Sequence, residues 1–497
     1  MKILFLYSFF SNYPSLQKPI TTDHIHFGIS YISSVLKQHG HETKLLVLPK
    51  RLRKKYHRVV DSCIENFAPH LICFTAVSSE YPLISGVAKY IKDRYPDIFL
   101  LIGGVHPSLN PDHVMNEIFD GLCIGEGEYP TLELVQQLED NRTPSGIANL
   151  WIRHGSHVEK NVPREFIQNL DELPFPDREM WVEWTDYSKS KCIRYNVLLG
   201  RGCPFRCSYC SNHALRNVAP GQYVRLRSPQ NIIEEIKSIC VRFPQTREIY
   251  LEIETIGINK TLAIELCSQI EKMNMALAHP LTFGVNLRIT PHDDLEPLFK
   301  AFQRSNISFV NIGVESGSER VRREVLRRNY SNNDIIRAVK LARKYGIKVC
   351  FYLLLGLPGE TMEDYFETVN ITRTCLPDWY ALSIFYPYEG TDLYKFCQEK
   401  KYMKGMLETD WERQKPVLDS PGFSKKQIRN GYIWFQYRAY KGYRPTIALI
   451  GNALALATEQ NIFFSFLLKM VNQAVTLTGV RQLIKKFHKK KMKKKYG

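Results

Sequence analysis

The chain has 497 residues, 44% of them hydrophobic and 24% charged, which is typical of a folded globular protein with two or three domains and excludes large-scale disorder. Its twelve cysteines are too dilute for a secreted disulfide scaffold, and Met1 leads directly into an apolar run without a signal-peptide pattern, so we expect a cytoplasmic protein. Nine of the net +17 charges fall between Arg481 and Lys495, so the basic excess is mainly a property of the tail.

Residues 1–145 alternate between apolar runs, which predict buried strands, and amphipathic stretches, which predict helices. We predict strands at Lys2–Tyr7, Thr43–Leu48, His70–Val77, Phe99–Ile102 and Gly121–Ile124, and helices at Phe27–His39, Leu83–Tyr95 and Thr131–Leu138. This order indicates an α/β domain with a doubly wound, Rossmann-like sheet, which binds ligands beyond the carboxyl ends of its strands. No G-x-G-x-x-G motif follows the first strand, so a dinucleotide is not indicated.

Residues 146–190 are predicted to connect two domains. The short segments Leu150–Arg153 and His157–Lys160, on either side of Gly155, predict a hairpin. Pro174 and Pro176 predict an extended linker. The alternation of strand and helix then resumes over residues 191–400. Strands are predicted at Arg194–Leu198, Glu248–Ile253, Leu281–Asn286, Phe309–Gly313, Lys348–Leu354 and Tyr380–Phe385, with helices such as Pro229–Cys240 and Asn333–Tyr345 between them.

A loop with three cysteines follows the first strand of this second unit. Cys203, Cys207 and Cys210 have the spacing C-x3-C-x2-C, and neighbouring glycines and a proline prevent regular structure there. Thiolates are the usual ligands of iron–sulfur clusters, and three of them leave one iron of a four-iron cluster free to bind substrate. The alternatives are a disulfide or a zinc knuckle, for which His213 is the nearest fourth ligand.

With Tyr209 before the last cysteine, the loop resembles the signature of the radical S-adenosylmethionine (radical SAM) superfamily. The resemblance implies a partial (β/α)6 barrel of the TIM type, a [4Fe-4S] cluster on the three cysteines, and S-adenosylmethionine bound to the free iron. Reductive cleavage of S-adenosylmethionine would then give a 5′-deoxyadenosyl radical. Later stretches also match the superfamily. The residues that the resemblance assigns to S-adenosylmethionine are Tyr209, Glu254, Arg288, Glu315, Ser316, Gly356, Pro358 and Gly359.

The first domain resembles the cobalamin-binding domain that precedes many radical SAM domains. Paired glycines let the backbone approach a bulky ligand closely, and the resemblance places Thr75, Ser78, Gly103 and Gly104 in the cobalamin pocket. The D-x-H-x-x-G motif that supplies a histidine ligand to cobalt is absent, because the letters around His24 have the wrong spacing. A degenerate docking domain with an empty pocket is the alternative.

Residues 401–497 are predicted to form a helical region with a polybasic tail. Trp411–Val417 and Tyr432–Tyr443 are expected to form helices that cap the barrel. The apolar runs Thr446–Ala457 and Ile462–Leu477 are each shorter than the roughly 20 residues of a membrane-spanning helix. Followed by basic residues, they suggest a peripheral anchor on the anionic inner face of a membrane. The alternatives are a packed helix pair with a solvated tail and, third, a nucleic-acid contact.

We therefore predict a cobalamin-dependent radical SAM enzyme that methylates an unactivated carbon. The expected partners are a small-molecule substrate, for which the tail suggests a lipid or isoprenoid-like compound, and an electron donor such as flavodoxin or ferredoxin. Nucleic acid is not an expected partner. The alternatives are a radical SAM cyclisation, rearrangement or oxidation without methyl transfer and, from another class, a non-catalytic metal-binding interaction protein.

Overall fold

The computed structural model describes residues 1–9, 21–50, 56–115, 118–185, 187, 193–403, 407, 409 and 411–458. The predicted helix at Ile462–Leu477 and the basic tail lie outside these ranges. Within them, no helix combines the length and apolar character needed to cross a membrane.

A seven-stranded sheet forms the first unit of the fold. Its strands are β1 (Lys2–Phe9), β2 (Glu42–Pro49), β3 (Leu71–Thr75), β4 (Phe99–Gly103), β5 (Gly121–Cys123), β6 (Leu150–His154) and β7 (His157–Lys160). The strand order is β2-β1-β3-β4-β5-β6-β7, with the first five parallel and the last two antiparallel. The hairpin of the predicted connector thus extends this sheet at one edge.

Helices cover both faces of this sheet. They are α1 (Phe27–Gln38), α2 (Tyr56–Phe67), α3 (Tyr81–Arg94), α4 (Val105–Leu109), α5 (Pro111–Met115) and α6 (Glu128–Glu139). The apolar sides of α1 and α6 pack on one face of the sheet, and those of α2 and α3 pack on the other. Because every central strand is buried on both faces, the strands are continuous apolar runs, and the sequence predicted all five parallel ones.

The second unit is a six-stranded parallel sheet that curves into a partial barrel. Its strands are β8 (Ile193–Leu198), β11 (Thr246–Glu252), β12 (Thr282–Leu287), β13 (Ile307–Glu315), β14 (Lys348–Leu355) and β15 (Trp379–Ile384), and a separate pair is formed by β9 (Gly200–Arg201) and β10 (Arg225–Leu226). The six strands stand in chain order across the sheet. The predicted α/β fold class, with a Rossmann-like sheet followed by a partial barrel, is confirmed.

Helices surround the outside of the partial barrel and continue into the C-terminal region. They are α7 (Ser211–Leu215), α8 (Pro229–Arg242), α9 (Lys260–Met275), α10 (Glu296–Arg304), α11 (Asn332–Lys344), α12 (Met362–Cys375), α13 (Asp392–Glu399), α14 (Lys425–Tyr440) and α15 (Thr446–Thr458). The predicted helix over Trp411–Val417 is wrong, since this segment is a turn followed by irregular chain. Pro416 lacks a backbone donor and disfavours helical geometry at the residue before it.

Candidate active site

The three cysteines lie on the loop that follows β8, at the carboxyl end of the barrel strands. All three are free thiols. Each sulfur faces one N–H donor: the backbone of Phe205 for Cys203, the Arg288 guanidinium at 2.8 Å for Cys207, and the backbone of Asn212 for Cys210. Donors of this kind stabilise sulfur in its anionic form.

The thiols are also close to one another. Burial raises the pKa of Cys210 to about 11, and negative charge on Glu254, Cys207 and Cys203 raises it as well. Three free thiols on one loop, each with its own N–H donor, fit a [4Fe-4S] cluster. Among the residues the structure describes, no three His, Cys, Asp or Glu side chains converge on a single metal ion.

His213, the candidate fourth ligand for zinc, is engaged elsewhere. Its Nδ1 lies 2.5 Å from the Cys210 carbonyl oxygen and its Nε2 lies 3.2 Å from Asp392. Both ring nitrogens therefore have partners other than the thiols.

A buried ion pair connects the cysteine loop to the end of β13. Arg328 donates to the Tyr209 hydroxyl at 2.7 Å and to the Gly313 carbonyl oxygen at 2.7 Å, and it pairs with Glu315 at 3.2 Å. Glu315 has a φ of +61°, a left-handed conformation that costs a non-glycine residue about 1–3 kcal/mol and is often found at functional sites. Sequence reasoning missed Arg328, because no motif distinguished it from the other arginines nearby.

Arg288, which follows β12, also contacts the cysteine loop. Its guanidinium stacks on the Phe205 ring at 3.7 Å, and its backbone N–H donates to Thr255 Oγ1 at 2.8 Å. The Nε of Arg288 is buried without a hydrogen-bond partner among the described residues. A buried donor of this kind is suited to an anionic group such as the carboxylate of S-adenosylmethionine.

Two further residues assigned to S-adenosylmethionine lie at the same rim, Glu254 exposed and Ser316 buried. The Glu254 carboxylate accepts from Asn212 Nδ2 at 2.8 Å, beside the cysteine loop. Ser316 is fully buried, with its hydroxyl 3.4 Å from Thr368 Oγ1. Their contacts with S-adenosylmethionine stay predictions.

The Gly-Leu-Pro-Gly turn after β14 is closed by a residue that was not among the predicted sites. Gly356 and Gly359 have φ values of +75° and +79°, which explains the glycines on either side of Pro358. The Glu360 side chain accepts the backbone N–H groups of Gly356 at 2.6 Å and Leu357 at 3.0 Å. Burial raises the pKa of Glu360 to about 8. Glu360 therefore fixes the turn whose residues the resemblance assigns to S-adenosylmethionine.

A cavity of about 910 Å³ lies between the two units, above this rim. Tyr209, Cys210 and Glu315 line it from the barrel, and Lys50 and Glu80 line it from the first unit. Its other walls are largely apolar and aromatic, and they include Tyr352, Leu354, Leu382, Phe385, Tyr386, Tyr388 and Tyr432. Besides Glu315, the carboxyl-bearing residues Glu80 and Glu412 line it from different parts of the chain.

A second cavity of about 320 Å³ lies at the carboxyl edge of the first sheet, where the strand order reverses between β1 and β3. Three of the four predicted cobalamin residues line it, namely Thr75, Gly103 and Gly104, whereas the Ser78 hydroxyl lies 3.2 Å from His106 Nδ1. A Cβ on Gly104 would come within 2.7 Å of Thr75 Oγ1. Glycine thus keeps open a largely apolar groove of the kind that receives a nucleotide tail.

Two family models match the chain: the radical SAM superfamily over residues 197–371 and the B12 binding domain over residues 18–135. The chain therefore belongs to the radical SAM enzymes that carry a B12-binding domain. Its cofactors are a [4Fe-4S] cluster, S-adenosylmethionine and cobalamin.

Among its relatives, the chain is 27% identical to an uncharacterized methyltransferase of Pyrococcus horikoshii over 83% of this chain and 87% of that protein. It is 24% identical to the anaerobic magnesium-protoporphyrin IX monomethyl ester cyclase of Rubrivivax gelatinosus over 80% of this chain and 70% of the relative. The structure of TsrM, a radical S-adenosylmethionine methyltransferase from Kitasatospora setae with cobalamin and a [4Fe-4S] cluster bound, superposes with a TM-score of 0.63 at 16% identity, covering 91% of this chain and 90% of that one.

Proposed function

We propose that the protein is a cobalamin-dependent radical SAM methyltransferase that methylates an unactivated carbon of a small, largely apolar molecule. The observation that carries this proposal is the shared cavity. The cysteine loop and the end of β13 reach it from the barrel. Val77 lines it from the first unit, two residues after Thr75, which lines the groove of the first sheet.

The proposal gives the chain's residues distinct roles. Cys203, Cys207 and Cys210 hold the cluster, and Arg288 donates to the Cys207 sulfur and offers its Nε to the carboxylate of S-adenosylmethionine. Arg328 holds Glu315 and Tyr209 in place, so that the Glu315 carboxylate can accept from a ribose hydroxyl. When bound, the cluster supplies the electron that cleaves S-adenosylmethionine, and cobalamin supplies the methyl group.

Ser316, Gly356, Pro358 and Gly359 shape the nucleoside end of this proposed site. Thr75, Gly103 and Gly104 form the groove for the cobalamin tail. Ser78, with its hydroxyl directed to His106, is the least supported of the predicted cobalamin contacts.

The cavity walls favour an apolar substrate with a polar end that donates hydrogen bonds. Leu354, Leu382 and Phe385 offer apolar surface, and the carboxyl groups of Glu80 and Glu412 offer acceptors. Burial, and then the charge of Glu412, raise the pKa of Glu80 to about 8, so Glu80 keeps its proton near neutral pH and can donate to a substrate oxygen. A substrate hydroxyl can therefore accept from Glu80 and donate to Glu412. A hydroxylated lipid or isoprenoid-like compound has the required chemistry.

The tail supports a proposed peripheral contact with an anionic membrane, which would bring such a substrate close. Its basic residues lie between Arg481 and Lys495, outside the described residues. Each basic residue near an anionic surface contributes about 1 kcal/mol. An external reductant such as flavodoxin or ferredoxin would supply the electrons.

The test is an anaerobic assay of the reconstituted full-length chain. The chain is loaded with iron, sulfide and hydroxocobalamin and given S-adenosylmethionine and a strong reductant. 5′-Deoxyadenosine and S-adenosylhomocysteine are then quantified by mass spectrometry. We expect both products, and we expect Cys207→Ala to lose the cluster and both products because one of its three ligands is missing. Cys63→Ala, a change of a half-buried cysteine on α2, is the matched control and should retain them.

The relative named as a cyclase favours one second candidate, a radical oxidation or cyclisation without methyl transfer. The same assay separates the two functions. Deoxyadenosine without S-adenosylhomocysteine would favour the second candidate, and full activity of Cys207→Ala would refute the cluster assignment and with it both functions.

A further inference from the structure

The cysteine loop has a two-stranded stem that holds its ends together. In this stem β9 pairs antiparallel with β10, with Arg201 opposite Arg225 and Gly200 opposite Leu226. A Cβ on Gly200 would lie 2.5 Å from the Arg225 carbonyl oxygen, and a Cβ on Gly202 would lie 2.2 Å from the Tyr223 carbonyl oxygen. The strands therefore pack as closely as backbone allows, and a displacement of the stem displaces the cysteine loop.

The two opposed arginines of the stem both point to one turn of the other unit. Arg201 pairs with Glu126 at 2.8 Å and with Glu128 at 2.5 Å, and Arg225 Nη1 lies 2.9 Å from both oxygens of Glu126. All four side chains are between 3% and 15% exposed. Two cations and two anions balance in a buried site, so a movement that separates them leaves charges buried without partners.

The carboxylate side of this cluster is also a wall of the second cavity. Gly125, Glu126, Gly127, Glu128 and Arg201 all line the 320 Å³ groove. The turn also packs closely against α1, because a Cβ on Gly127 would come within 2.8 Å of Ile32, which lines the same groove. A ligand in the groove therefore lies against the same turn that holds the stem of the cysteine loop.

We propose that Glu126, Glu128, Arg201 and Arg225 act as positioning residues that couple the two cofactor sites. A ligand that fills the groove holds the turn at Glu126 and Glu128 in position. The four charges then hold the β9–β10 stem in position, and the stem holds the three thiols of the cysteine loop. Cobalamin binding and cluster assembly then favour each other, and by thermodynamic linkage each must strengthen the other by the same factor. This inference rests on the proposed function, which assigns the groove to cobalamin and the thiols to the cluster.

The test measures the coupling directly and without turnover. Hydroxocobalamin is titrated by absorbance into the full-length chain before and after anaerobic reconstitution with iron and sulfide. We expect the cluster-loaded chain to bind about 5- to 20-fold more tightly. Glu126→Gln keeps an oxygen that can accept the Ile167 backbone N–H, which donates to Glu126 at 2.7 Å, but it removes the charge that Arg201 and Arg225 share. In this variant the ratio of hydroxocobalamin affinities with and without the cluster should fall to about 1.

Glu133→Gln is the matched control, because Glu133 lies on the same helix as Glu128 and pairs with Arg164 at 2.9 Å away from the stem. It should keep the wild-type ratio. If Glu126→Gln does not fold, Glu128→Gln is measured instead, and its ratio should also fall because Arg201 loses one of its two partners. A second readout is the electron paramagnetic resonance spectrum of the reduced cluster, which should shift on cobalamin addition in the wild type and not in Glu126→Gln.

A wild-type ratio of 1, or a Glu126→Gln ratio equal to that of the wild type, would overturn the coupling. Such a result, with both cofactors bound and deoxyadenosine formed, would leave the proposed function standing. Failure of the proposed function is recognised separately, by the absence of deoxyadenosine from protein that holds its cluster.

Discussion

Gly104→Ala should damage the groove of the first sheet, which we propose to bind cobalamin. Gly104 has φ of +103° and ψ of −172°, a conformation essentially restricted to glycine, and forcing alanine into it costs about 1–3 kcal/mol. The new Cβ would also lie 2.7 Å from Thr75 Oγ1 and 3.0 Å from the Ala76 carbonyl oxygen, an overlap that adds about 1–3 kcal/mol. The expected loss of stability is therefore about 2–6 kcal/mol.

Gly40→Ala provides a control that separates conformational strain from overlap. Gly40 has φ of +82°, and a Cβ there would have no neighbour within 4 Å, so only the strain of about 1–2 kcal/mol applies. Urea unfolding gives the stabilities, and a hydroxocobalamin titration gives the affinities. We expect at least a tenfold loss of affinity in Gly104→Ala and none in Gly40→Ala. Equal stabilities and equal affinities in the two variants would refute the packing argument for Gly104.

Three further predictions concern the barrel rim and the tail. Arg328→Met leaves the buried Glu315 carboxylate without its cation, which costs about 3–5 kcal/mol. We expect a lower melting temperature and, by calorimetry, at least tenfold weaker binding of S-adenosylmethionine. Unchanged binding would exclude Glu315 from the site. Glu360 keeps its proton in the folded chain up to about pH 8, whereas the unfolded chain loses it near 4.5, so stability falls as pH rises through this window by up to about 1.4 kcal/mol per pH unit. Glu360→Gln should flatten that fall in thermal melts, and parallel curves would contradict the assignment. Deleting residues 481–497 should weaken co-sedimentation with anionic vesicles in a salt-dependent way, and unchanged binding would leave the tail without a membrane role.

Sequence reasoning located the strands well because a buried strand requires apolar residues close together in the sequence. All six barrel strands and all five parallel strands of the first sheet were predicted. The central strands of the first sheet are apolar runs because both of their faces are covered, and the barrel strands keep buried apolar residues such as Val197, Leu251 and Val285. It failed over Trp411–Val417, where aromatic content resembled a helix but Pro416 ends one. It also omitted α2, whose alternating charges and apolar residues were not assigned.

The candidate site was only partly visible in the sequence. The cysteine loop was found because its three ligands lie within eight residues and their spacing is characteristic. Arg328 was missed because its partner Tyr209 is 119 residues away, and no local pattern marks such a pair. The division of the chain at residues 145, 190 and 400 and the individual contacts with the cofactors stay predictions.

By itself, the sequence determined the alternation of strand and helix, the cysteine motif, and thereby the chemistry that the site can carry. These features depend on residues that are neighbours along the chain, so their physical causes are local. Only the tertiary structure decided which charges meet across the two units. Glu126 and Arg225 are brought together by the packing of one sheet unit against the other, and Arg201 in the stem of the cysteine loop lines the groove for the same reason. Long-range packing, which no short stretch of sequence encodes, thus placed the groove of the first sheet against the stem of the cysteine loop.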